Sequence, residues 1–182
     1  MTLPIETDRL VLRRFTLDDV DDMVELASHP SVAQVGNKIR PMAAEVRKYL
    51  DWQNSLQPFE FGACFELGIE LKCENKVIGF AGMIRKDNAQ AEVGCALHIG
   101  YRGRGYATEA ARVLISYGFE KLGLRRISAD TAITNIGARK VAERLGMRRE
   151  RHCRESEPRD GQLVDLVGYT IVADEWRGKE ID

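Results

Sequence analysis

Nothing in this 182-residue sequence pairs its cysteines for metal or redox work. The four, Cys64, Cys73, Cys95 and Cys153, include no Cys-x-x-Cys spacing, and His29, His98 and His152 form no close pair. A zinc site would have to gather four ligands from scattered places, so no metal is expected. The thiols read instead as the reduced cysteines of a cytoplasmic protein. An excess of charge is missing too: Lys plus Arg total 27 against 28 for Asp plus Glu. That balance argues against phosphate-backbone binding as the main task, so no nucleic-acid partner is expected. No apolar run reaches the roughly 18 residues that would suggest a membrane span. Glu6, Asp8 and Arg9 stand where a signal peptide would carry its apolar stretch. No membrane partner is expected. No repeat and no linker-like tract divides the chain, which reads as one domain over 1–182.

What is present is alternation of strand and helix patterns. Leu10 to Phe15 reads as a strand. Thr16 with Asp19 three places on resembles a capping box, and Val20, Met23, Val24 and Ala27 continue it as an amphipathic helix over about 17–28. An irregular connector covers 28–41, and a second helix is expected over 43–56. Phe61 to Leu71, Lys76 to Arg85 and Ala91 to Ile99 are apolar-rich runs with short polar gaps, as antiparallel hairpins require. A helical stripe from Ala107 to Leu122 follows, closed by Gly123. Next come a strand over 126–133, a stripe of Ala138, Val141, Ala142 and Leu145, and strands over 147–156 and 163–173 with a turn at 158–161. The order β-α-α-β-β-β-α-β-α-β-β specifies a mixed α/β sheet.

Chemistry concentrates in 92–109, where a strand runs into Arg102-Gly103-Arg104-Gly105-Tyr106-Ala107 and a helix opens. Glycines let backbone approach a ligand, helix-start N–H groups point outward, and the two guanidiniums suit phosphate oxygens. The simpler alternative is a glycine turn with two solvated arginines. Thr108 stands where a dinucleotide fingerprint needs its third glycine. Tyr106 and Ala107 stand where a mononucleotide loop needs Lys and Ser or Thr.

Arg102-x-x-Gly105-x-Ala107, between strand and helix, resembles the pyrophosphate loop of the GCN5-related N-acetyltransferases. Glu6 to Arg13, Ala96-Leu97-His98, Gly103 to Ala110, and Asn135 with Leu145-Gly146-Met147 further resemble the branch that acetylates ribosomal-protein amino termini. These motifs fall in the right order along nearly the whole chain. The resemblance implies a single-domain fold with a mixed, mostly antiparallel sheet of about six to seven strands and about four helices. It implies acetyl-CoA as cosubstrate and an amine acceptor, with the protein a monomer or homodimer. Cys95, Ala96 and Leu97 would offer backbone groups to the pantetheine arm, and the Leu97 N–H would polarise the thioester carbonyl. Arg102, Gly103, Arg104, Gly105, Tyr106 and Ala107 would wrap the pyrophosphate, and Asn135 would contact the cofactor arm or cap the helix after it.

Glu92 is the candidate general base, with His98 second; both share a strand face with Gly94 and Ala96. Each has a plain alternative, Glu92 as a solvated strand end and His98 as a packing residue. The family's serine or tyrosine acid is replaced by Ala138 and Ala142. A CoA-like thiol, with a pKa of about 8.5, remains a tolerable leaving group without one. The acceptor implied is a protein amino terminus. The alternatives are a small amine such as a polyamine or aminoglycoside, or a weakly catalytic acyl-CoA-binding module. Asp18, Asp19, Asp21 and Asp22 read as a solvated helix face with Asp19 capping. Trp52, Phe59 and Phe61 read as core or as an acceptor groove.

Overall fold

The computed structural model describes residues 3–29, 32, 42–159 and 162–177, with backbone alone for 151–159 and 162–164. In chain order these form β1 (Ile5–Glu6), β2 (Leu10–Arg13), α1 (Val20–Ala27), α2 (Ala43–Ser55), β3 (Cys64–Leu71), β4 (Lys76–Arg85), β5 (Gln90–Leu97) and α3 (Tyr106–Glu120). They continue with β6 (Arg126–Ala132), α4 (Ile136–Arg144), β7 (Arg148–Arg159), β8 (Gln162–Val172) and α5 (Ala173–Arg177). Short 3-10 turns at Leu17–Asp19 and Ile99–Tyr101 precede α1 and follow β5.

The strands make one sheet in the order β1-β2-β3-β4-β5-β6-β8-β7. All neighbours are antiparallel except β5 and β6, which are joined by the α3 crossover that parallel strands require. The sheet has eight strands among the described residues, not six or seven; the addition is two-residue β1, too short to show as a pattern. Among the described residues there are five helices rather than about four; the addition is five-residue α5, too short to show as a stripe. The expected turn at 158–161 is corrected in part. Pro158 and Arg159 remain in β7, opposite Leu163 and Gln162; β7 is an edge strand, where proline's missing N–H costs no ladder bond. Residues 160–161 and most of the connector over 28–41 lie outside the described residues.

Alternation sorts the sheet into two faces. Phe65, Leu67, Ala81, Met83, Val93 and Leu97 point to the main core, where Ala110, Leu114 and Ile115 of α3 cover them. On the other face α1 and α2 enclose Phe15, Met23, Leu26, Val46 and Leu50, with Phe80 and Ala96 against them. The α1 end is pinned electrostatically. Asp19 accepts from the Thr16 N–H at 2.7 Å and from both terminal nitrogens of Arg13 at 2.8 Å. Burial alone would push its carboxyl up; the Arg13 guanidinium and the Thr16 bonds outweigh that and hold it below its ordinary value. At α2, Glu45 reaches back to the Met42 N–H at 3.0 Å, closing the first turn.

Candidate active site

β5 and β6 pair over three residues only. Gln90, Ala91 and Glu92 lie opposite Arg126, Ile127 and Ser128. Beyond them β5 follows β4 as far as Leu97, while β6 follows β8 as far as Ala132. The strands therefore part at Glu92, opening a wedge whose walls are two strand edges. The His98 N–H donates to Ile78 O at 2.9 Å, toward β4. Antiparallel alternation then turns the N–H groups of Leu97 and Cys95 the other way, into the wedge. An extended arm carrying amides can add to such an edge as a strand does.

The end of β5 is closed by the predicted loop. The side chain of Arg102 folds back, its Nε donating to Leu97 O at 3.0 Å. Gly103 and Gly105 take φ of 78° and 87°, the left-handed region that side chains resist. Gly105 caps α3, so the first-turn N–H groups have no intrahelical acceptor and, with the dipole, favour an anion. All the expected loop residues, Arg102 through Ala107, thus meet at one mouth of the wedge. Asn135 follows the far end of β6, on the other wall, and its Oδ1 accepts from the Ala138 N–H at 3.1 Å, capping α4.

Glu92 is the last residue of β5 to pair before the strands part. Its carboxylate meets Lys86 Nζ at 2.9 Å. His98 is engaged on both ring nitrogens: Nδ1 accepts from the Gly100 N–H at 3.2 Å, and Nε2 lies 3.5 Å from Glu25. Burial pushes the Cys95 thiol up to about 11, which makes it a packing residue rather than a nucleophile. Ala142 is buried. Tyr169 is buried as well, with its hydroxyl donating to Glu143 at 3.2 Å.

Sequence reasoning missed the brace behind the loop. Arg9 donates through Nε to Glu109 Oε2 at 2.7 Å and through Nη1 to Arg104 O at 3.0 Å, and lies over the Tyr106 ring at 4.6 Å. Thr7 donates to Glu109 at 2.6 Å. Burial would raise the Glu109 carboxyl, but the Thr7 and Arg9 bonds hold it below its ordinary value. An acidic residue in the first turn of a helix was the available signal. Also missed was Glu66 of β3, which accepts from the Tyr49 hydroxyl of α2. Of the three aromatics, Phe59 is core, whereas Trp52 and Phe61 are half exposed, with Arg85 stacked 4.0 Å from the Phe61 ring centre.

An edge-lined wedge ending at a helix start is an arrangement that can take an extended, amide-bearing ligand with an anionic end. The family described as acetyltransferase (GNAT) domain matches residues 9–148. The N-acetyltransferase p20 of Bacillus licheniformis, itself uncharacterised, is 33% identical over 176 residues, covering 94% of this chain and 97% of p20. YdaF of Bacillus subtilis, provisionally named a ribosomal N-acetyltransferase, is 37% identical over 93 residues, covering 51% of each chain. A GNAT-family acetyltransferase structure from Bacillus anthracis superposes with a TM-score of 0.82 at 26% identity, covering 95% of this chain and 100% of that one. The chain belongs to the GNAT family of acetyltransferases. It is an acetyl-CoA-dependent N-acetyltransferase that acts on an amine.

Proposed function

We propose that the protein moves the acetyl group of acetyl-CoA onto the α-amine of a protein amino terminus, by direct attack within a ternary complex. The observation that carries this reading is the parting of β5 and β6 at Glu92, with the N–H groups of Cys95 and Leu97 on one wall and the Arg102–Ala107 loop at its mouth. The partial likeness to YdaF supports the choice of acceptor.

Each part follows from ordinary chemistry. The loop and the start of α3 hold the pyrophosphate. The β5 edge holds the pantetheine amides, and the Leu97 N–H stabilises negative charge growing on the thioester oxygen. The acceptor arrives as an ammonium with a pKa of about 8, and Glu92 takes one proton from it. The freed nitrogen attacks the thioester carbon, a C–N bond forms and the C–S bond breaks. The second proton is lost to water and the departing thiolate takes one up from water, so ammonium and acetyl-CoA give amide, CoA thiol and one released proton. Ala138 and Ala142 supply no acid, so the sulfur leaves as thiolate. In this reading His98 holds the turn after β5, and Asn135 serves both the α4 cap and the cofactor arm.

A second reading, a small polycationic amine as acceptor, is favoured by Glu66 and Glu92 standing on one sheet face. Calorimetric titration with acetyl-CoA and CoA, then a thiol-release assay over peptides and polyamines, tests both. Release with amino-terminal peptides establishes the first. Release with polyamines alone establishes the second. Binding without release leaves an acyl-CoA-binding module, and no binding removes the cofactor assignment.

A further inference from the structure

Glu66 of β3, Gly82 of β4 and Gly94 of β5 stand in one row across the sheet, on the face that carries Glu92. A Cβ at Gly82 would lie 2.7 Å from Glu66 Cγ, so the glutamate side chain extends over the β4 backbone. A Cβ at Gly94 would meet nothing within 4 Å, and Gly94 is exposed. Open space therefore lies above β5, two residues past Glu92, where β5 leaves β6. One strand spacing, about 4.8 Å, separates Gly82 from Gly94.

The Glu66 carboxylate is fixed rather than free to swing. The Tyr49 hydroxyl donates to Oε2, and the Cys64 thiol donates to Oε1 at 3.5 Å. Gln53 of α2 donates to the Tyr49 oxygen at 3.3 Å and accepts from the Glu66 N–H at 3.0 Å. Burial draws the Glu66 carboxyl above its ordinary value, opposed by the Tyr49 and Cys64 bonds. The titratable groups facing it are Tyr49 from α2 and Cys64 from β3. Cys64 also feels the Glu92 carboxylate of β5 and the Lys86 ammonium that follows β4. Burying a carboxylate costs free energy, and this one stands in the same cross-sheet row as the open position over Gly94, on the face that carries Glu92.

We infer that Glu66, oriented by Tyr49, seats the nitrogen of a cationic primary amine in the space over Gly94 and so determines which acceptors are used. The inference rests on the acetyl-transfer reading above. Glu66 accepts an N–H bond from the ammonium, and Glu92 receives the proton that leaves it. Uncharged nucleophiles forgo the attraction between opposite charges.

The test compares wild type, Glu66→Gln and Tyr49→Phe in thiol-release kinetics over a pH series, with acetyl-CoA affinity and melting temperature measured alongside. Glu66→Gln raises the acceptor KM about tenfold, the scale of one charge-assisted hydrogen bond, with acetyl-CoA affinity unchanged. It also removes the Glu66 limb from the acid side of the acceptor kcat/KM profile. Tyr49→Phe deletes a bond that favours the charged carboxylate, so that limb persists and moves to higher pH. A folded Glu66→Gln with wild-type acceptor KM and pH profile overturns the inference. If Glu66→Gln fails to fold, Gly94→Val decides: it fills the space, and an unchanged acceptor KM overturns the inference, whereas a raised one with intact acetyl-CoA binding supports it. A wild type that releases no thiol with any amine overturns the transferase reading and this inference together. An active wild type insensitive to these changes overturns the inference alone.

Discussion

Arg9 and Glu109, 100 positions apart in sequence, meet behind the Arg102–Ala107 loop. The contact ties the residue before β2 to the first turn of α3, and the same guanidinium reaches the carbonyl of Arg104. The start of α3 is thereby clamped from the rear. Arg9→Ala should lower acetyl-CoA affinity several-fold and leave the fold largely intact. The stability change should stay within about 1 kcal/mol, because the arginine side chain is 46% exposed and solvent screens the pair. Calorimetry against a melting curve separates the two effects.

Glu92→Gln keeps the side-chain shape and removes the base. The expected result is a fall in kcat of about 10²-fold, the low end for general base catalysis, with acetyl-CoA binding at wild-type strength. Because some of the amine is already neutral near pH 7, residual turnover should rise with pH more steeply than in wild type. Equal kcat in the two proteins would remove Glu92 from the mechanism.

Gly105→Ala forces a side chain into φ of 87°, and its Cβ would lie 3.3 Å from Arg9 Nη2. The strain costs about 1–2 kcal/mol at a single left-handed position. Acetyl-CoA affinity should fall at least tenfold, since relief of the strain moves the N–H groups at the helix start. A Kd measured by titration within twofold of wild type would show that the loop geometry is not what holds the ligand.

Asp19 makes part of the stability pH-dependent. Its folded carboxyl lies below the ordinary value of 3.8, so its contribution is present above that value and is lost as pH falls through the lower, folded one. Asp19→Asn should therefore melt earlier than wild type at neutral pH. The gap should close as the pH falls below the ordinary carboxyl value and through the lower, folded one, where wild type also protonates the group. Melting temperatures of the two proteins across that range give the test directly.

The order of elements and the Arg102–Ala107 loop were legible because both are local. Periodicity marks a strand or helix within a dozen residues, and glycines with arginines at a strand–helix junction need no distant partner. Thr16 and Asp19 likewise announced the start of α1. What stayed hidden depended on register. Glu66 sits in an apolar run and reads as a strand residue of one parity. Only the alignment of β3 with β4 and β5 puts it in a row with two glycines, and only the packing of α2 brings Tyr49 to it. Tyr49 itself reads as one more member of an apolar stripe. The role of Asp19 was half seen: capping was legible, but the bond to Arg13 required β2 to lie against the start of α1. Parity puts His98 on the strand face of Glu92, while the partners of its ring, Gly100 and Glu25, are set by the bend after β5.

Three residue pairs are all that join β5 to β6. The sheet is thus two ribbons, one of five strands and one of three, joined by a short seam, by the α3 crossover and by the shared apolar core. The missing rungs lie along the wedge, so an extended ligand seated there becomes the mortar of the wall it leans on. Occupancy then favours the joined state over any with the ribbons parted, by mass action. On the proposed reading, release of the product would leave the seam at its weakest.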